Sequence, residues 1–113
     1  MTDREMLELA AKAAGIEFNN KRSPTGNVAL YCATAGWWNP LTSDADALRL
    51  AVKLGLTIDT ADGTPDGDID TPATRVDSGN GRMLLIEVHG TDPYAATRRA
   101  IVRAAAEIGR NMA

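Results

Sequence analysis

A chain of 113 residues, 44% of them hydrophobic, fits one domain with one core and excludes both general disorder and a two-core architecture. A net charge of −3 and a pI near 5.0 supply no global attraction for nucleic acid or acidic membranes, although a local basic face stays open. The single cysteine, Cys32, excludes an internal disulfide, and no apolar run approaches the ~18 residues of a membrane span.

The opening MTDREM is not a basic-then-apolar leader, which predicts a soluble, unexported chain. Thr2-Asp3-Arg4-Glu5 is a capping box, so a helix starts here and runs to about Ala14. Met6, Leu7, Leu9, Ala10, Ala13 and Ala14 share one arc, with Glu5, Glu8 and Lys12 opposite. Glu8 and Lys12 stand four apart in the favourable order. Gly15 supplies a left-handed stop that Ile16 can close. Ile16-Glu17-Phe18 and Val28 to Cys32 then read as strands joined by the loop-forming Asn19 to Gly26, a candidate hairpin.

Trp37-Trp38-Asn39-Pro40-Leu41 comes next, extended or turning because Pro40 keeps Asn39 out of the α region. Thr42 or Ser43 caps a second helix with Asp44 and Asp46 in its first turn. Ala47, Leu48, Leu50, Ala51, Val52 and Leu54 cover so much of its circumference that more than one packing partner is expected. Gly55 stops it, and Leu56 to Thr60 reads as a strand. Residues 5–16 and 46–56 share an acidic start, Leu-x-Leu-Ala, a lysine and a glycine stop, which suggests two helix-strand-strand units.

Residues 61–80 turn to Asp, Gly, Thr and Pro and are expected to form a long flexible loop. Near its end Thr74 to Asp77 can pair, through Ser78-Gly79-Asn80-Gly81, with Met83 to Val88. The latter is the most apolar strand of the chain and is expected at the centre of the sheet. Asp92 and Pro93 open the last helix, whose buried stripe is Tyr94, Thr97, Ile101, Ala104, Ala105, Ile108 and Met112. The element order is αββαββα. It predicts one α+β domain over residues 1–113, a mostly antiparallel four- or five-stranded sheet with helices on both faces.

Trp37 and Trp38 are the first binding candidates. Neighbours in an extended segment point to opposite sides, so one ring can fill the gap between the second helix and the sheet while the other anchors a contact. The plainer alternative has both partly buried, pinning the loop to the helix. Arg99, Arg103 and Arg110 fall within about 40° of the last helix, a candidate anion-binding face or an ordinary solvated one. Arg98, at the margin of the apolar stripe, must snorkel or meet a carboxylate. Asp66-x-Asp68-x-Asp70 has calcium-loop spacing, but Thr71 replaces the required glycine and Asp77 the terminal glutamate, so a solvated acidic loop is expected. His89 has no zinc spacing around it, and a strand-end histidine bonded to the backbone accounts for it. No metal, cofactor or catalytic set is predicted.

Trp38 to Leu41, then Asp46 to Gly55, and finally Asp92 to Gly109 resemble the phage α/β/α sandwich family, small proteins of tailed phages and prophages. The likeness spans the first helix and these blocks, more than half of the chain; 61–81 has no counterpart. It implies helices on both faces of a sheet and residence in the bacterial host cytoplasm, and it carries no assigned activity.

Two functions are expected on these grounds. In the first, the protein acts without catalysis by binding a host or phage macromolecule, such as a host-defence component, through Trp37, Trp38, Asn39 and the face of Arg98, Arg99, Arg103 and Arg110. In the second, it binds a small anionic nucleotide in a pocket lined by Trp37 or Trp38 and Arg98. The acidic pI argues against nucleic acid, and a homodimer is compatible with either.

Overall fold

The computed structural model describes residues 1–21, 23–24, 26, 28–33, 36–62 and 72–112. Among the described residues there are three helices, α1 (Asp3–Ala14), α2 (Asp44–Leu54) and α3 (Pro93–Arg110), and five strands, β1 (Leu30–Cys32), β2 (Gly36–Trp38), β3 (Thr57–Asp62), β4 (Ala73–Asp77) and β5 (Met83–Val88). The strands form two small antiparallel sheets, β1-β2 and β3-β4-β5. The expected four- or five-stranded sheet is therefore corrected to two, although the α+β class stands.

The helices begin and end where local chemistry places them. Thr2 Oγ1 accepts from the Glu5 amide at 3.1 Å, Ser43 accepts from Asp46 at 3.2 Å, and Asp92 accepts from Tyr94 and Ala95 at 3.0 and 3.1 Å. Gly15 and Gly55 sit at φ 70° and 64°, and each closes the same Schellman motif: Ile16 donates to Ala11 at 2.9 Å, Leu56 to Ala51 at 3.0 Å. Within α1, Glu8 pairs with Arg4 at 3.1 Å rather than with Lys12, whose ammonium instead donates to the Met112 carbonyl at 3.2 Å.

The resemblance between residues 5–16 and 46–56 stops at these caps. Leu7 is fully buried, whereas its counterpart Leu48 is 63% exposed; Leu50 is buried, whereas its counterpart Leu9 is only partly so. In sequence the glycine stop lies eight residues beyond Leu7 but seven beyond Leu48. That single residue turns the leucines by about 100° relative to the capped end. The chain beyond each glycine differs too. A full strand, β3, comes after Gly55, whereas Ile16 to Phe18 is not a strand and leads only to an isolated bridge between Asn19 and Tyr31. The expected hairpin of that segment with Val28 to Cys32 is thus replaced by β1-β2.

α3 forms the middle of the molecule. Ala100 and Ala104 pack with Val76 of the sheet, while Ile101, Val102, Ala105 and Ala106 join α1, α2, β1 and Trp38 in the main core. Burial on two sides corrects the predicted single stripe: Tyr94 is 72% exposed and Met112 is exposed, but Ala100, Val102 and Ala106 are buried. Contacts Asp3–Arg99, Leu9–Gly109 and Lys12–Met112 climb together, so α1 and α3 run side by side in the same direction. The layers run α1, α3, sheet. α1 packs mainly on α3, and the helix contact with the three-stranded sheet comes chiefly from α3, in place of helices on both faces.

The expected pairing of β4 with β5 forms, with Val76 opposite Leu85 and, after a shift of register, Asp77 opposite Met83. Its central strand is β4, not β5, because β3 takes the other edge of β4. β5 is apolar for a different reason: Leu84 and Leu85 pack under α3 and line a groove beside it. Residues 63–71, which include Asp66, Asp68 and Asp70, lie outside the described residues; the rest of the predicted loop is partly strand, its first residues ending β3 and Ala73–Asp77 forming β4. No helix among the described residues is long and apolar enough to cross a membrane.

Candidate functional site

β1 and β2 pair with Leu30 opposite Trp38, Tyr31 opposite Trp37 and Cys32 opposite Gly36. Alternation then sends Leu30, Cys32 and Trp38 into the core and Tyr31 and Trp37 outward. Trp38 is 5% exposed and Trp37 36%. The two tryptophans thus have separate fates, and the alternative with both half-buried is not what the structure shows. Tyr31 and Trp37 meet edge to face, centroids 5.0 Å apart and planes at 68°. The Lys21 ammonium sits 4.4 Å from the Tyr31 centroid and 5.9 Å from that of Trp37. Tyr31 and Lys21 are not among the residues expected from the sequence. Tyr31 is reached only through the β1-β2 register, which sets it directly across from Trp37.

The Trp-Asn-Pro turn behind this ribbon is structural. Asn39 is buried; its amide donates to Asp46 at 2.9 Å, its side-chain carbonyl accepts from Leu41 at 3.1 Å, and its backbone carbonyl accepts from Ser43 at 2.9 Å. Arg98 resolves its two options by meeting a carboxylate. Its guanidinium donates to Asp44 at 2.6 Å and to the Leu41 carbonyl at 2.9 Å, clamping α3 to the turn and the start of α2. Asn39 and Arg98 hold the scaffold that aims the ribbon.

The other arginines lie together. At about 100° per residue, Arg99, Arg103 and Arg110 fill the sector of α3 left between its α1-facing and sheet-facing sides. They stand over the seam between α1 and β5. Arg99 meets Asp3 at 3.3 Å, Arg103 meets Glu87 at 2.5 Å, and Arg110 meets Glu107. The seam opens as a groove of about 500 Å³ whose apolar lining is Met1, Met6, Leu84, Leu85 and Ala106. A second cleft, about 590 Å³, lies between the end of α1 and α2, with Ile16, Trp38 and Leu50 on its walls and Glu17, Asp46, Arg49 and Lys53 around it. Neither of these two cavities is lined by Trp37 or Arg98.

His89 serves the sheet. Its Nε2 is 2.8 Å from Thr74 Oγ1, which is also 2.8 Å from Thr97 Oγ1, and its amide donates to the Pro72 carbonyl at 3.0 Å. Thr74 is fully buried, so this chain of contacts ties β4 and the end of β5 to α3 inside the molecule. Among the described residues, no group of three His, Cys, Asp or Glu side chains is arranged to hold a metal ion.

Burial pushes the Cys32 thiol above its ordinary value of 9.0, and the Asp46 carboxylate adds to the rise. The folded chain therefore holds this proton more tightly than the unfolded chain. Its stabilising contribution is fully present below about pH 9 and is lost as pH rises through the folded-state value. The unfolding free energy of the wild type should fall across that alkaline window more steeply than that of Cys32→Ala, as read by urea titration at successive pH values.

Comparison with family models, with curated proteins and with solved structures found no match.

Proposed function

We propose that the protein is a non-enzymatic binding protein whose partner is another protein, engaged through the outward face of the β1-β2 ribbon. The observation that carries this reading is Trp37, a large apolar ring held at the surface by Tyr31 and Lys21 while its neighbour Trp38 is spent on the core. Tryptophan and tyrosine dominate the energetic centres of protein interfaces, because they bury much area at little entropic cost. A pre-ordered pair avoids part of the ordering cost of association. The resemblance of the Trp38-to-Leu41 block and its neighbouring helices to phage α/β/α sandwich proteins supports a phage accessory role in the host cytoplasm, with a host or phage protein, a defence component among them, as partner.

Affinity capture from host lysate tests this with wild type and Trp37→Ala side by side. The wild type should retain a partner, and Trp37→Ala should weaken retention by roughly 30-fold, the effect of losing an interface centre worth about 2 kcal/mol. Equal retention by both proteins, or none by either, would refute the assignment.

A further inference from the structure

We infer that the groove between α1, α3 and β5 is a binding site for a monoanionic aliphatic molecule of the fatty-acid kind, a second site sharing no residue with the Trp37 surface. Its volume of about 500 Å³ falls within the range of about 300–1,000 Å³ typical of small-molecule sites. Its lining is of two kinds, apolar side chains and a charged edge along α3. The apolar part is Met1, Met6, Leu84, Leu85 and Ala106, aliphatic and thioether groups suited to an alkyl chain. No aromatic ring lines it among the described residues, so a nucleobase would find nothing to stack on.

The polar edge selects the headgroup. Arg99, Arg103 and Arg110 each meet a carboxylate through a single nitrogen, and a guanidinium carries five N–H donors, so most of that capacity is unspent. Glu87 and Glu107 also line the groove and would repel a polyphosphate, whereas a single carboxylate can exchange with Glu87 on Arg103, leaving the partly exposed Glu87 carboxylate to water. Glu87 is thus a competitor for the headgroup, and Arg103 its receptor.

That opposition makes the test directional. Calorimetric titration of the intact chain with decanoate, below its aggregation limit, should show saturable binding, with butyrate and inorganic phosphate at least about tenfold weaker. Glu87→Gln should tighten decanoate binding several-fold, and Arg103→Gln should weaken it about tenfold, the loss of one charge-assisted bond. Methyl resonances of Met6, Leu84 and Leu85 should shift with the same saturation curve. Both substitutions are on solvent-accessible side chains, and unchanged circular dichroism confirms folding. The inference is overturned if decanoate fails to bind both wild type and Glu87→Gln, if decanol binds as well as decanoate, if Arg103→Gln leaves affinity unchanged, or if the protein takes up only anionic phosphatidylglycerol vesicles and no monomer.

Discussion

Trp38→Ala is expected to remove about 3–5 kcal/mol of stability, whereas Trp37→Ala, one residue away, should cost only about 1 kcal/mol. Trp38 is 5% exposed and belongs to the main core together with Leu30, Cys32, Ala47 and Leu50. Truncating it loses the transfer free energy of the indole and leaves a cavity that helices on several sides cannot all collapse into. A domain of this size has roughly 5–15 kcal/mol in total, so the variant should be partly unfolded at physiological temperature. Trp37 loses only an edge-to-face pair with Tyr31 and a distant cation contact with Lys21. Denaturant titration of the two variants decides the matter. Similar losses would mean that the alternation along β2 does not separate the rings as described, and the case for Trp37 as a free contact residue would fall with it.

Gly109→Ala should destabilise the protein by about 2 kcal/mol or more, although alanine is the better helix former by about 1 kcal/mol. A Cβ at Gly109 would lie 2.0 Å from the Leu9 carbonyl oxygen and 2.8 Å from its carbon. Non-bonded carbon contacts sit near ~3.5–4.0 Å, so α1 and α3 must separate by more than ~1 Å along a crossing that is otherwise close-packed. The obstacle is backbone, which no rotamer change can move aside. The clash therefore outweighs the gain in propensity. The melting temperature should fall by roughly 8 °C or more, at about 4 °C per kcal/mol. A rise instead would show that the two helices do not touch at this point.

Three arginines adjacent on α3 were legible in the sequence, and so was their common sector. Their setting was not. A solvated face and a groove edge have the same helical spacing; the difference lies in whether another element stands across the gap, and here Asp3 and Glu87 do so from α1 and β5. Arg98 shows the same limit. Its place at the margin of the apolar stripe announced that it needed a partner, but Asp44 and Leu41 are brought to it only by the packing of α2 against α3. Leu48 and Val52 belong to the apolar arc of α2 yet are 63% and 72% exposed, because that arc says how much surface the helix offers and not which part meets the core.

By itself the sequence determined the three helices, their N-terminal caps, the glycine stops of the first two, the hairpin β4-β5 and the opposed directions of Trp37 and Trp38. Each of these rests on bonds or alternation within a few residues, so neighbouring side chains suffice to specify it. Only the tertiary structure decided that β1 pairs with β2 rather than with Ile16 to Phe18, that β4 is central, that α3 lies between α1 and the sheet, and which tryptophan is buried. Those choices compare packings of the whole chain, in which distant segments compete for the same strand edge or helix face, and local preferences do not rank them.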